Sequence, residues 1–126
     1  MPAPADRRYT ESHEWHKIEG DTLTLGLTQH AVDQLTDVTF VELKEAGTLI
    51  EAGDTVGEVE SVKTTSDVYC AASGEIIETN AQLEDNPGLL NEDPYGEGWL
   101  VKLKVNDPAP IEALADSAKY DAEYAN

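Results

Sequence analysis

Lys63 is the residue of this sequence whose surroundings best suit covalent chemistry. Between Glu45 and Val101 the chain carries thirteen Asp or Glu side chains, and Lys63 is its single Lys or Arg. An ammonium group on a flexible stem, with no competing lysine nearby, suits acylation to an amide, which removes its charge. A lysine in a polar turn is also commonly just a solvated surface residue, since turns are exposed and lysine is rarely buried. Both interpretations stay open on this evidence.

The residues on either side of Lys63 predict a β-hairpin that presents it at the tip. Turn signals at residues 53–54 and 73–74 lie almost equally far from Lys63, so two extended runs are joined by a polar turn. The second run has the period-two pattern of a strand with one buried face, formed by Val68, Cys70 and Ala72. The first run is less regular, because Val59 points away from the face that carries its other valines.

Four short motifs of the chain resemble those of one known family, the glycine cleavage system H proteins. The sequence Glu60-Ser61-Val62-Lys63, followed by Ser66-Asp67, is similar to the lipoate-attachment motif of that family. Residues 12–15, 40–43 and 91–99 match further family motifs, in order and without a large gap. The similarity runs from about Tyr9 to Tyr124, and four separated motifs are far more specific than one lysine in a turn.

The resemblance implies that Lys63 carries lipoate as an amide, at a motif that the attaching enzyme recognises through Glu60, Ser61, Val62 and Asp67. The chain would then hold no catalytic residue and would act as a swinging-arm carrier, which raises the local concentration of its cargo at each enzyme. The arm would take an aminomethyl group from a pyridoxal-phosphate glycine decarboxylase to a tetrahydrofolate-dependent aminomethyltransferase. The flavin-dependent dihydrolipoamide dehydrogenase would then reoxidise its dithiol. The lipoate-attaching enzyme is the fourth implied partner.

The resemblance also implies a cleft for the arm, lined by Ser12, Glu14 and Asp67. Glu14 is expected to pair with the amine of the loaded arm, with Asp67 and Ser12 in support. The ordinary alternatives are an exposed acid, a turn aspartate and a turn or helix cap. Gln34 stands where some members of the family have histidine, which argues against a role for an imidazole in the cleft. Lys44 is a second candidate for an exposed lysine, but it lacks the flanking hairpin pattern.

Short strands separated by Gly, Pro and Asx turns predict a mainly β fold, with helices confined mainly to the end of the chain. Strands are predicted at residues 22–27, 38–43, 75–79 and 99–105, with a short helix near residues 28–35. Residues 80–98 are predicted to be mostly loop, with one helical turn around residues 89–90. The resemblance narrows the fold to a lipoyl-type barrel-sandwich hybrid. It implies a single lipoyl-carrier domain over residues 1–126, with a loose lead-in at residues 1–8 and C-terminal helices at residues 108–126 packed on the barrel.

Composition excludes several classes of partner. The formal net charge of −18 would repel nucleic acid phosphates and anionic membrane surfaces. No apolar run approaches the length of a membrane span, and the amino terminus lacks a secretory apolar core. We therefore expect a soluble, cytoplasmic protein, mitochondrial only if a presequence has been removed. One cysteine excludes an internal disulfide, and Cys70 is interpreted as a small core residue.

Other classes of protein remain as alternatives. His13 and His16 are three residues apart, unlike the spacing of zinc hydrolases, so no metal site is expected. A Cys-His or metal hydrolase would depend on Cys70 or His13, and an acidic adaptor would carry no modification. Biotin carriers flank their lysine with methionines, whereas Val62 and Thr64 flank Lys63. Lipoyl domains of 2-oxo acid dehydrogenases lack the motifs of residues 12–15 and 91–99, and a paralogue that passes lipoate to other proteins stays open.

Overall fold

Nine strands and five helices form the part of the chain that the computed structural model describes, residues 5–124. The strands are β1 (Arg8–Tyr9), β2 (Glu14–Glu19), β3 (Thr22–Leu27), β4 (Val38–Leu43), β5 (Leu49–Ile50), β6 (Thr55–Ser61), β7 (Thr65–Tyr69), β8 (Gly74–Thr79) and β9 (Val101–Lys104). The helices are α1 (Gln29–Leu35), α2 (Gln82–Asp85), α3 (Leu89–Glu92), α4 (Ala109–Glu112) and α5 (Ser117–Tyr124). None of these helices has the length and apolar composition needed to cross a membrane.

Two antiparallel sheets carry the main core. One sheet has the strand order β1-β2-β3-β9-β8-β5, and the other has the order β4-β6-β7. Aliphatic side chains from both sheets form one buried cluster, which includes Leu23, Leu25, Val59, Val68 and Leu103. The predicted mainly β barrel-sandwich fold is therefore confirmed. Cys70 lies in this core, where burial raises the pKa of its thiol to about 11, so it is a packing residue rather than a nucleophile.

The hairpin of β6 and β7 is present as predicted, and a bulge explains its irregular first arm. Between Thr55 and Gly57, β6 carries one residue more than its partner β7. The extra residue resets the alternation of the strand, so both Val56 and Val59 are buried. Without the bulge, valines three positions apart would face opposite sides of the sheet.

The connections are only partly as predicted. Thr28 caps α1, since its Oγ1 accepts a hydrogen bond from the Ala31 N–H at 3.2 Å. Residues 80–98, predicted to be mostly loop, contain the two short helices α2 and α3, whose Leu83 and Leu90 are buried in the core. The helical turn predicted around residues 89–90 is α3, whereas α2 was not predicted. Each of the two helices is about one turn long and is stabilised by tertiary burial rather than by its own periodicity.

The N-terminal end of the described chain packs on β2, and the C-terminal helix packs on β1. The expected loose lead-in falls partly outside the described residues, and its last two residues are held in place. Arg8 begins β1, and the guanidinium carbon of Arg7 lies 4.5 Å from the centre of the Trp15 ring. The ring of Tyr120 in α5 stacks on Tyr9 with centroids 4.8 Å apart, which attaches the C-terminal helix to β1. The side chain of Tyr124, one helical turn further on, lies outside the described part of the chain.

Gly26 of β3 makes room for the Trp15 indole. It is the cross-strand partner of Trp15, and a Cβ there would lie 2.5 Å from ring atoms that are fixed by a 2.9 Å hydrogen bond from Trp15 Nε1–H to the Pro94 carbonyl. We expect Gly26→Ala to destabilise the fold by about 2 kcal/mol or more, measured by urea unfolding. The control is Gly88→Ala, whose Cβ would meet only an ordinary contact and should change stability by less than about 0.5 kcal/mol. Equal unfolding free energies for the two variants would show that the indole can move aside.

Candidate functional site

Lys63 lies exposed at the tip of the β6–β7 hairpin, where the Ser61 side chain organises the turn. Ser61 Oγ accepts hydrogen bonds from the backbone N–H groups of Lys63 at 3.3 Å and Thr64 at 3.2 Å. The Ser61 N–H donates to the Thr64 carbonyl at 2.8 Å and closes the turn. Among residues 5–124, no carboxylate lies within ion-pair distance of the Lys63 ammonium. The amine is therefore displayed on an ordered turn and is free to react.

The other residues of the predicted attachment motif lie on the outer side of the same hairpin. Val62 is 67 % exposed, and its backbone N–H donates to the Asp37 carbonyl at 3.1 Å, which ties the turn to the connection between α1 and β4. Asp67 of β7 pairs with Glu58 of β6, and Glu60 lies two residues further along β6, on the same face. These side chains form an accessible acidic surface beside Lys63.

A groove of about 320 Å³ begins beside this turn. One wall is formed by the start of β7, and the opposite walls come from the segment before β2, the end of β3 and the exposed side of α1. The lining residues are Ser12, His13, Leu27, Ala31, Gln34, Leu35, Thr64, Thr65 and Ser66. Of the three predicted cleft residues, Ser12 lines the groove directly. Glu14 lies behind Ser12, and Asp67 makes no hydrogen bond to either of them among the described contacts.

Glu14 is fully buried at the start of β2, which corrects the simple picture of an exposed acid. Its Oε1 accepts hydrogen bonds from the hydroxyls of Thr10 at 2.5 Å and Ser12 at 2.6 Å, and its Oε2 accepts one from the Tyr69 N–H at 3.2 Å. No Lys or Arg within residues 5–124 forms an ion pair with it. Three donors thus satisfy the buried carboxylate, and no cation of the described chain pairs with it.

His16 forms a second clamp of the same kind, two residues further along β2. Its Nε2 accepts a hydrogen bond from the Ala71 N–H at 3.1 Å, so Nδ1 carries the proton of the neutral ring. Nδ1 finds no acceptor at hydrogen-bonding geometry in the described chain. Burial lowers the pKa of His16 to about 3, an effect that the Glu14 backbone offsets only in part. Glu14 and His16 thus attach β2 to the edge of β7 through side chains instead of a strand ladder.

The His16 clamp predicts an acid-sensitive fold. The pKa of His16 is near 6.5 in the unfolded chain and about 3 in the folded chain, so only the unfolded chain takes up this proton as the pH falls below 6.5. Its stabilising effect is complete above pH 6.5 and declines towards pH 3, by at most about 1.4 kcal/mol per pH unit. Urea unfolding across this range should therefore show that the free energy of unfolding falls less steeply with decreasing pH in His16→Gln than in the parent protein. Glutamine keeps a hydrogen-bond acceptor but has no titrating group. Parallel slopes for the two proteins would contradict this role of His16.

Two imidazoles, those of His13 and His30, lie beside the groove, although position 34 holds glutamine. His13 lines the groove, and its ring lies 4.3 Å from the ring of His30 on α1. The Gln34 side-chain amide lies 3.1 Å from His30 Nε2, and the Tyr120 hydroxyl lies 2.8 Å from His13 Nδ1. Burial and the neighbouring His30 lower the pKa of His13. The imidazole that lines the groove is therefore that of His13, at a position other than 34.

Residues 91–99, the last of the four sequence motifs, hold α1 in place through hydrogen bonds. Asn91 Oδ1 accepts the Val38 N–H at 2.9 Å, and Asn91 Nδ2 donates to the Thr36 carbonyl at 2.6 Å, which fixes the end of α1 against β4. The Tyr95 hydroxyl accepts the Gln29 N–H at 3.0 Å at the start of α1. This motif therefore positions the groove wall formed by α1 and contributes no lining residue itself.

Sequence reasoning missed Thr10, and it considered His13 and His16 only as candidates for metal or hydrolase chemistry, not as residues of this site. Glu14 and His16 share one face of β2, a period-two signal that predicts two side chains pointing the same way. The sequence contains no sign that β7 lies opposite that face, because contacts between residues about 55 positions apart depend on the packing of the two sheets.

Two antiparallel sheets with a lysine at the tip of an exposed hairpin define a barrel-sandwich domain of the lipoyl type. Within this class the chain belongs to the glycine cleavage H-protein family, since the model of the family described as "Glycine cleavage H-protein" matches residues 7–126. A glycine cleavage system H protein of Symbiobacterium thermophilum is 51 % identical over 119 residues, which are 94 % of this chain and 93 % of the relative. One of Thermus thermophilus is 50 % identical over 120 residues, which are 95 % and 94 % of the two chains.

A solved structure agrees with the sequence relatives. The crystal structure of a glycine cleavage system H protein from Mycobacterium marinum superposes on the chain with a TM-score of 0.87 at 39 % identity. The match covers 96 % of this chain and 98 % of that one. The family that the four sequence motifs predict is thereby confirmed.

Proposed function

We propose that this protein is the lipoyl-bearing carrier of a glycine cleavage system, with lipoate attached as an amide to Lys63. The observation that supports this most strongly is the placement of Lys63, an exposed amine on an ordered turn beside a groove. No carboxylate of the described chain neutralises that amine, so acylation breaks no ion pair. The chain supplies no catalytic group of its own in this proposal and acts through its partners.

The groove suits an arm that is mainly aliphatic and ends in a small polar group. Leu27, Ala31 and Leu35 offer apolar contact along it, while Ser12 and Gln34 offer polar groups. Bound lipoate would supply a disulfide that accepts a carbon fragment together with electrons and is restored by dithiol exchange. The residues of the chain would hold the arm, exclude water from its end and release it when a partner docks.

Glu14 is the residue that we propose as the counter-ion of the amine on the loaded arm. Its three donors are two hydroxyls and one backbone N–H, so its oxygens retain acceptor capacity for an ammonium group. Ser12 both lines the groove and donates to Glu14, and it therefore connects the arm to the buried carboxylate. Asp67 lies on the outer face of the hairpin, so we propose it only as a supporting acid.

The partners that we propose each use the same arm in turn. They are a pyridoxal-phosphate glycine decarboxylase, a tetrahydrofolate-dependent aminomethyltransferase and dihydrolipoamide dehydrogenase. The lipoate-attaching enzyme would read the motif of Glu60, Ser61, Val62 and Asp67 around Lys63, of which Val62 and Asp67 are exposed and the other two half-buried. The net charge of −18 supports basic docking surfaces on these proteins and disfavours nucleic acid.

Intact-mass measurement after coexpression with a lipoate ligase tests the proposal. We expect a gain of one lipoyl group and, on incubation with glycine and the decarboxylase, a further gain of one aminomethyl group. A chain that stays unmodified overturns the carrier assignment. A chain that is lipoylated but takes up no aminomethyl group overturns the link to glycine cleavage and leaves a lipoyl carrier of another system.

A further inference from the structure

Strand β7 has one free edge, which faces the segment that begins β2. It is an outer strand of the sheet β4-β6-β7. The Thr64 carbonyl accepts the Ser61 N–H, and the Cys70 N–H donates to the Asp54 carbonyl, so the backbone groups of these even-numbered residues face the β6 side. Backbone groups alternate in direction along a strand. The N–H groups of the odd-numbered residues from Thr65 to Ala71 therefore face the free edge.

Two of these outer N–H groups are capped and two are open. Glu14 accepts the Tyr69 N–H at 3.2 Å, and His16 accepts the Ala71 N–H at 3.1 Å. Thr65 and Asp67 are exposed, and the structure describes no acceptor for their outer N–H groups within residues 5–124. The capping by β2 stops where the groove begins, because residues 64–66 form one of the groove walls. The groove is thus bordered by a strand edge with unused donors.

We propose that this open edge of β7 binds the amide group of the lipoylated Lys63 arm, as an adjacent strand would bind it. The inference rests on the function proposed above. The arm is an extended chain with one secondary amide, and its carbonyl would accept a hydrogen bond from the outer N–H of Thr65 or Asp67. Lys63 lies two residues before Thr65 and next to Thr64, which lines the groove, so an arm on Lys63 would enter the groove at this end of the edge.

The spacing of the edge places the head of the arm at Glu14. A strand advances about 3.3 Å per residue, so the distance along β7 from Thr65 to Tyr69 is about 13 Å. An extended acyl chain with its ring and a one-carbon cargo has a comparable length. With its amide held near Thr65, the arm would reach the level of Tyr69, the residue whose N–H the Glu14 carboxylate accepts. The strand edge therefore sets the position at which the cargo meets its counter-ion.

Backbone amide hydrogen exchange, resolved by NMR, tests this inference on the protein with and without lipoate. In the unlipoylated chain, the amides of Thr65 and Asp67 should exchange fast, and those of Tyr69 and Ala71 should be protected. Lipoylation should slow exchange of Thr65 or Asp67 by about tenfold or more, because a new hydrogen bond must open before exchange. The amides of Tyr69 and Ala71 should change little. Intact mass, measured on the same samples, establishes the modification.

A pair of variants separates the backbone from the side chain. Thr65→Pro removes one outer N–H and should shift the protection to Asp67 or abolish it, since proline is tolerated where the N–H of an edge strand faces outward. Thr65→Ala retains the N–H and should behave as the parent protein. A lipoylated chain in which neither Thr65 nor Asp67 gains protection overturns this inference alone. If Lys63 cannot be lipoylated, the proposed function is overturned, and this inference with it.

Discussion

Substituting Lys63 by arginine should remove lipoylation completely and lower carrier activity by at least about a thousandfold, because the cargo would lose its covalent tether. Arginine keeps the positive charge at the exposed tip but does not form the amide with lipoate. The turn should persist, since it is closed by Ser61 and Thr64 rather than by the Lys63 side chain. Intact mass after coexpression with a lipoate ligase measures the first effect, and glycine-dependent release of carbon dioxide in a reconstituted system measures the second.

Lys44→Arg is the matched control for this prediction. Lys44 is also exposed, but it follows β4 and does not lie at the tip of a hairpin. We expect this variant to be lipoylated like the parent protein, and both variants should unfold within about 0.5 kcal/mol of it. A lipoyl group that survives Lys63→Arg, or that disappears with Lys44→Arg, would place the attachment site elsewhere.

The sequence predicts the hairpin well because its information is local. Val68 and Cys70 alternate with polar residues, and Gly53 and Gly74 mark the ends of the segment, so strand, face and turn follow from neighbouring residues. The bulge that turns Val56 inward is a tertiary feature, because it arises where β6 must present two valines to one core. Periodicity alone therefore left the first arm ambiguous.

The sequence predicts which residues belong to the candidate site, but it does not predict how they are arranged in space. The family resemblance singles out Ser12 and Glu14 from residue identity, yet the burial of Glu14 depends on the edge of β7, some 55 positions away. His13 enters the groove through a backbone with a φ of 68°, which sequence patterns do not predict for a residue other than glycine. Contacts of this kind emerge only when the two sheets are assembled.

Removing the charge of Glu14 should shorten the lifetime of the aminomethyl group on the arm by about ten- to a hundredfold. A hydrogen bond between a carboxylate and an ammonium group contributes about 1.5–3 kcal/mol, and its loss exposes the amine to water. Glu14→Gln is the better variant, because the amide has nearly the same shape and retains an oxygen acceptor for the surrounding donors. The measurement is the rate of formaldehyde or ammonia release from the isolated loaded protein.

Two further variants distinguish a role in holding the amine from a role in holding the fold. Glu14→Ala also leaves the Tyr69 N–H without its acceptor and opens a cavity, so it should destabilise the fold by about 1–3 kcal/mol. Glu11→Gln removes an exposed charge in the same segment and should change neither the lifetime nor the stability. If Glu14→Gln lost stability and kept the parent lifetime, Glu14 would be a structural clamp for β7 only. A shortened lifetime with stability retained in Glu14→Gln identifies the carboxylate as the counter-ion, because the clamp then remains while its charge is gone.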